Sequence, residues 1–336
     1  MRTVAADRCP ICAAGVAVVL HEAVPSHVDG PPSTWRLCQC SECGAARLDP
    51  RPSDDELAGL YLDYYTHEPS QPEGGAPGGL AGIRRRLRNG YVNARFDACT
   101  QPALNAVAAR ALVWLLARTR AVTDRTFRHL RVDGRLLDVG CGEGSFLDLA
   151  GRAGWQATGI DTDPEAVAAA QRAGVDARCE TLAEHAAGGS HYDAVTISHV
   201  LEHVPDPVAL LEDAYVALRP GGTVWIATPN LLGAGHRHYG AQWWPLDAPR
   251  HLVVFSPASL RRAVEGAGFI DVRPRDTAGF TRHDFAMSEQ RGDPRTPPLG
   301  VRLRAAFAER LGLLRRAAAD EIVVVARRPD APGWEQ

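Results

Sequence analysis

Three groups of residues in this chain have types and spacings that can do chemistry. The first lies in Leu136-Leu-Asp-Val-Gly-Cys141-Gly-Glu-Gly-Ser-Phe146. Leu136, Leu137 and Val139 read as a buried strand. Gly140, Gly142 and Gly144 read as a bend whose missing Cβ atoms let a ligand approach the backbone. From Ser145 the chain reads as a helix whose first free N–H groups point at that ligand. Asp138 precedes the bend and Glu143 lies inside it. Acids there repel a pyrophosphate, and G-x-G-x-G is not the G-x-G-x-x-G of dinucleotide sites. They suit a ligand that carries a sulfonium and an ammonium. Twenty-one residues beyond Gly140, Asp161 ends a second strand, Gly159-Ile-Asp-Thr162. It is placed to accept hydrogen bonds from ribose hydroxyls.

The second group is Cys9-Pro-Ile-Cys12 and Cys40-Ser-Glu-Cys43. Two C-x-x-C knuckles present four thiolates to one tetrahedral zinc. Four cysteines leave no open position, so the zinc is expected to be structural. A redox C-x-x-C would need a βαβ context, which neither pair has. Cys38 is read as a bystander on the adjoining strand. The third group is Ser198-His199-Val-Leu-Glu202-His203, together with His251. His199, Glu202 and His203 stand at i, i+3 and i+4, which places them on one face of a helical turn. There they could hold a divalent metal, act as base and orienter, or simply brace a loop. His251 is the candidate general base, because imidazole titrates near neutrality; hydrogen bonding to backbone is the alternative. Trp243 and Trp244 could stack on an acceptor or plug the core.

The elements that must position these groups are legible as an alternation of strand and helix from Arg135 onward, an α/β pattern with a parallel sheet covered on both faces. Strands are expected near 135–139, 156–160, 175–179, 192–197 and 222–228, a sixth at 269–273 and a late one at 321–326. Ser53 with Glu56 predicts a capping box for a short helix. Residues 69–82 have the composition of a linker, and helices are expected at about 83–98 and 102–129. The expected organisation is a zinc ribbon at 1–50, a linker and helical lid segment at 51–130, and the ligand-binding domain at 131–330. An insertion, with a helix at 300–317, interrupts that domain at about 278–318.

Composition excludes several classes. The chain has 336 residues, 45% apolar, enough for a sizeable core. All 37 basic residues are arginine, which rules out a Schiff-base lysine, a P-loop lysine and a lysine general base. A net charge of −3 gives no pull toward a bulk polyanion. Residues 1–63 carry five arginines against nine acids, so the ribbon is not expected to grip nucleic acid. No apolar leader stands out, and no run nears the roughly eighteen apolar residues of a membrane span. A cytoplasmic protein with reduced thiols is therefore expected, its eight cysteines serving as ligands or core residues.

The glycine bend, Asp161 at its distance and Arg219-Pro-Gly-Gly222 before the fifth strand resemble the class I S-adenosylmethionine (SAM)-dependent methyltransferases. The resemblance implies a Rossmann-like seven-stranded sheet whose antiparallel last strand is inserted between the fifth and sixth. It implies SAM at Asp138, Gly140, Cys141, Gly142, Gly144, Asp161 and Thr162. It also puts the adenine at Glu180 and Leu182, and the methionine part at Ser198 and His199. Glu180 departs from the usual Asp. The ribbon, Pro50 and Pro52, and the tyrosines Tyr61, Tyr64 and Tyr65 resemble the N-terminal module of bacterial sugar and natural-product methyltransferases, where it helps cover the substrate. In the deoxysugar C-methyltransferases the base is the His of a His-x-x-x-Phe-Ser stretch, which falls on His251; here Arg250 replaces the preceding Glu. The run from His199 to Pro207 is similar to the ubiquinone-pathway O-methyltransferases and the small-RNA 2′-O-methyltransferases, some of which recruit a metal at the matching residues. The implied function is methyl transfer to a small-molecule acceptor, a sugar or natural-product hydroxyl. A zinc-ribbon RNA methyltransferase and a non-catalytic SAM-fold interaction module are the alternatives.

Overall fold

The N-terminal strands lie between the cysteine knuckles and prolines: β1 (Thr3–Val4), β2 (Ala17–Pro25), β3 (Thr34–Cys40), β4 (Ala46–Leu48) and β5 (Arg51–Pro52). The computed structural model describes residues 1–28, 33–61, 79–105, 109, 113, 117–189, 191–289 and 296–330. The chain forms two compact units. One comprises Met1–Tyr64, Ser198–Tyr215 and Ile226–Ala326; the other comprises Tyr65–Ile197, Val216–Trp225 and Arg327–Gln336.

The aliphatic runs of the sequence become the parallel strands β6 (Arg135–Val139), β7 (Gln156–Asp161), β8 (Asp176–Cys179) and β9 (Tyr192–Ser198). They are followed by β10 (Leu218–Pro229), β11 (Val253–Val254), β12 (Ile270–Pro274) and β13 (Glu321–Arg327). The seven-stranded sheet has the order β12-β13-β10-β9-β6-β7-β8, and β6 pairs in parallel with both β7 and β9. The late strand thus sits between the fifth and sixth, where the sequence put it.

In the second unit, Gly144 begins the Ser145–Ala153 helix with φ 85° and no side-chain cap. A Cβ there would stand 2.6 Å from Val175 Cγ2, so both backbone and space require glycine. Leu147 packs with Cys141, Val167, Ala170 and Ala177, which seats the bend on its own core. The Pro164–Arg172 helix starts on Asp163, whose carboxylate accepts from Glu165 N–H and Ala166 N–H. Ahead of β6, the Gly79–Phe96 and Ala117–Thr126 helices pack through Tyr91, Phe96 and Phe127 onto Ala153, and Tyr91 Oη donates to Asp124 at 2.6 Å.

In the first unit, β4 continues past the ribbon: it pairs antiparallel with β3 and with β11. The ribbon's buried side chains Val24, Leu37, Ala46 and Leu48 share one cluster with Leu231, Trp243, Leu246 and Val254. The ribbon is too small to bury these residues alone, so it completes its core with the chain that follows β10. Trp243 is fully buried there, which makes it a plug and not an acceptor platform. The insertion carries the Thr281–Ser288 and Leu299–Leu314 helices.

Several local expectations are corrected. Residues 79–82, read as linker, are already helical. Residues 101–105 are not helical, and past Thr126 a tight turn puts Arg128 and His129 at positive φ, so 102–129 is not one helix. Ser53 Oγ donates to Asp55 at 2.6 Å and does not close the expected capping box with Glu56. Tyr64, Tyr65 and residues 69–78 lie outside the described residues. No helix among those described is long and apolar enough to cross a membrane.

Candidate active site

The glycine bend is built by backbone hydrogen bonds. The N–H groups of Gly140 and Cys141 both donate to Ile160 O at the end of β7, at 2.9 and 3.1 Å. Asp161 Oδ2 accepts from Gly142 N–H at 2.9 Å, and its Oδ1 from Asp163 N–H at 3.0 Å. These two bonds, with a further one from the Thr162 backbone, orient the carboxylate. Beneath the bend, Asp138 is 2% exposed. It accepts from Thr196 Oγ1 at 2.6 Å and faces Arg128 Nη2 at 3.6 Å. Burial raises the Asp138 pKa, with Arg128 and Thr196 opposing. Arg128 itself lies 4.0 Å from the Phe146 ring centroid and 4.5 Å from that of Trp225. Sequence reasoning missed Arg128 and Thr196, because nothing in their local patterns marks them. Cys141 is buried, and Leu182 is buried at the start of the helix capped by Thr181. Glu180 is paired with His185 at 2.8 Å.

In the other unit, the His-x-x-Glu-His run is not a helical turn. His199 has φ 55° and residues 199–205 form bends and turns, so the expected shared face does not exist. Glu202, His203 and His251 bring donor atoms within 4.8 Å of one another, and His199 engages Glu202 from outside that trio. The His203 and His251 rings meet edge to face at 4.5 Å. His251 is pinned from two sides, by its N–H to Asp247 O at 3.0 Å and by Nδ1 to Pro245 O at 2.7 Å. A carbonyl only accepts, so Nδ1 carries a proton, and Nε2 is the ring nitrogen not committed to this backbone bond. Leu252 N–H donates to Glu202 O at 2.7 Å, tying the two segments together.

Glu202 is fully buried and accepts from Thr228 Oγ1 at 2.9 Å. His199 bridges two acids, with Nδ1 3.2 Å from Glu202 and Nε2 2.8 Å from Glu321. Burial opposes the protonation of His199, yet these carboxylates push its pKa up to about 9. Burial likewise opposes charge on Glu202, and His199 brings it down to about 2. His203 is pulled down to about 4 by burial and by His251. An imidazolium, a carboxylate and a neutral imidazole thus stand in a row. Arg250, anomalous in the sequence, is a strut: it donates to Leu60 O, His27 O and the Asp247 carboxylate at 3.0 to 3.4 Å. Thr228 and Glu321 escaped the sequence reading; the charged head of a Val-Val-Val strand was the available signal for Glu321.

The cysteines converge as expected. Cys9 Sγ lies 3.5 Å from Cys43 Sγ, and Cys12 Sγ 3.6 Å from Cys40 Sγ, with all four sulfurs within 4.8 Å. A tetrahedron with Zn–S bonds of about 2.3 Å has edges of about 3.8 Å, so the donor set fits zinc.

Residues 113–273 match the methyltransferase domain family. Over 172 residues the chain is 35% identical to the ubiquinone biosynthesis O-methyltransferase of Aeromonas salmonicida, covering 46% of this chain and 69% of that protein. The corresponding enzyme of Idiomarina loihiensis is 30% identical over 171 residues, covering 46% and 70%. Among solved structures, a SAM-dependent methyltransferase from Archaeoglobus fulgidus aligns with 66% of this chain and 92% of its own, at 20% identity and a TM-score of 0.41, too distant to carry weight. The chain belongs to the class I SAM-dependent methyltransferases. It is an enzyme that takes its methyl group from SAM, with the Rossmann-like sheet of that class.

Proposed function

We propose that the chain methylates a hydroxyl of a small-molecule acceptor, a sugar or natural-product intermediate, with His251 as general base. The observation that carries this is the pinned His251 ring, whose Nδ1 is committed to Pro245 O, which leaves Nε2 to take a proton. The buried Glu202 carboxylate nearby stabilises the imidazolium that would form, and neutral His203 offers no repulsion. Such a base contributes about 10²–10⁴-fold. The names of the relatives favour oxygen on a small molecule.

The donor falls to Asp138, Gly140, Cys141, Gly142, Gly144, Asp161 and Thr162, with Glu180 and Leu182 at the adenine and Ser198 and His199 at the methionine part. The His199 ring is engaged by Glu202 and Glu321, so its share in donor binding falls to its backbone. Cys9, Cys12, Cys40 and Cys43 hold a structural zinc that ties down residues 1–50. None of the eight cysteines is joined in a disulfide, which suits a reducing, cytoplasmic setting.

A second reading is favoured by the convergence of Glu202, His203 and His251. These donors fit a divalent cation, which when bound would polarise an acceptor oxygen. His251→Ala, followed by release of S-adenosylhomocysteine from SAM, tests both. The base reading expects a ~10²–10⁴-fold fall in kcat, unchanged binding of S-adenosylhomocysteine and indifference of the wild type to EDTA. Normal turnover in the variant removes His251 as base. Loss with EDTA, restored by magnesium or manganese, selects the metal.

A further inference from the structure

The first unit contains a recess that the chemistry above does not use. It is a small, solvent-open recess with room for about one water-sized group, set between the 277–281 turn, the Leu299–Leu314 helix and the start of β13. Phe280, Thr281, Glu309, Asp320 and Glu321 are among its lining residues. Asp320 is 5% exposed. Its Oδ1 accepts from Gly235 N–H at 2.6 Å, and its Oδ2 has no hydrogen-bond partner. Burial raises the Asp320 pKa, and the Gly235 N–H, the Thr281 hydroxyl and the charge of Arg237 oppose the rise. Glu321, equally buried, is engaged by Thr277 and His199. Asp284 is not among the lining residues; burial and neighbouring Asp320 raise its pKa well above the ordinary value, which favours its neutral form.

A carboxylate oxygen buried without a donor is costly, and the acids Asp320, Glu321 and Glu309 outnumber the cations His199 and Arg237 that act on them. A positively charged hydrogen-bond donor completes it. A metal ion is a poor candidate, since among the described residues the donors that converge within 4.8 Å are the four cysteines and the Glu202 trio, not these acids. An alkylammonium carries three N–H donors that reach separated acceptors. Phe280, 42% exposed and 5.7 Å from the His199 ring, offers a face to the same cation. The ion pairs Glu321–His199–Glu202 join the recess to the His251 cluster.

We propose that this recess binds an ammonium group of the acceptor, so that the molecule methylated is an amine-bearing, hydroxylated compound of the amino-sugar type. The inference rests on the small-molecule reading above and narrows it. The test is calorimetric titration of the full chain at pH 7 with glucosamine and, separately, glucose, repeated on Asp320→Asn and Glu309→Gln. S-adenosylhomocysteine is titrated into each protein as an independent readout. Glucosamine binds the wild type and glucose does not; Asp320→Asn weakens glucosamine about tenfold or more, Glu309→Gln weakens it less, and S-adenosylhomocysteine binds all three alike. Equal responses to the two sugars, or unchanged glucosamine binding in Asp320→Asn, overturn the proposal. So does a joint loss of S-adenosylhomocysteine, which would give the acids to the donor's own ammonium. If Asp320→Asn does not fold, the Glu309→Gln loss decides. The sugar titrations involve no methyl transfer, so a failure of the hydroxyl reading, seen as full turnover in His251→Ala, registers separately.

Discussion

Glu202 has no solvent exposure and stays charged because His199 stands beside it and Thr228 donates to it. Such a pair makes stability depend on pH with a definite sign. The folded pKa of His199 is about 9 against 6.5 for the free side chain, so its contribution is complete below pH 6.5 and lost as pH rises toward 9. His203 is depressed to about 4, so the folded state resists its protonation and stability falls as pH drops from 6.5 toward 4. A melting-temperature profile should therefore form a dome centred near pH 6.5. His199→Gln should flatten its alkaline limb and His203→Gln its acid limb; a profile that the two variants leave unchanged contradicts the assignment. The sequence showed His199, Glu202 and His203 as a set, but it paired them by helical spacing. The positive φ of His199 breaks that spacing, and no local pattern announces it. His251 came from a motif 48 residues beyond His203, and only folding shows that it joins Glu202 and His203.

At the scale of elements, the strands were legible because aliphatic runs bounded by glycine and proline leave few other options. The sharpest local requirement is the Gly144 bend. Gly144→Ala places a Cβ in left-handed backbone and against Val175, and it should destabilise by at least about 1–2 kcal/mol. Urea unfolding measures this, and an unchanged midpoint would show that the bend tolerates a side chain. What the sequence hid is the pairing of β4 with β11: a two-residue strand has no periodicity to read, and its partner lies some two hundred residues away. The same long-range closure buries Trp243. Trp243→Ala should cost about 3–5 kcal/mol and loosen the ribbon strands, visible as faster amide exchange in β3 and β4. Exchange confined to the helix after β10 would deny the shared core.

For the whole molecule, composition set limits and folding filled them in. The absence of lysine and the weak net charge excluded chemistries, whereas the recess lined by Asp320 and Glu321 arises from segments with no common motif. The proposed zinc draws its four ligands from both knuckles of the ribbon. Elemental analysis should find one zinc per chain, and Cys12→Ser should release it and lower the melting temperature while S-adenosylhomocysteine still binds; a metal-free wild type of equal stability would refute the structural role. Everything else depends on the donor site. Calorimetric titration of S-adenosylhomocysteine into wild type and Asp161→Ala tests it most directly. One equivalent should bind the wild type, and the variant should lose about a hundredfold in affinity, the equivalent of two charge-assisted hydrogen bonds. A wild type that ignores the compound, or a variant that binds it equally well, contradicts the account.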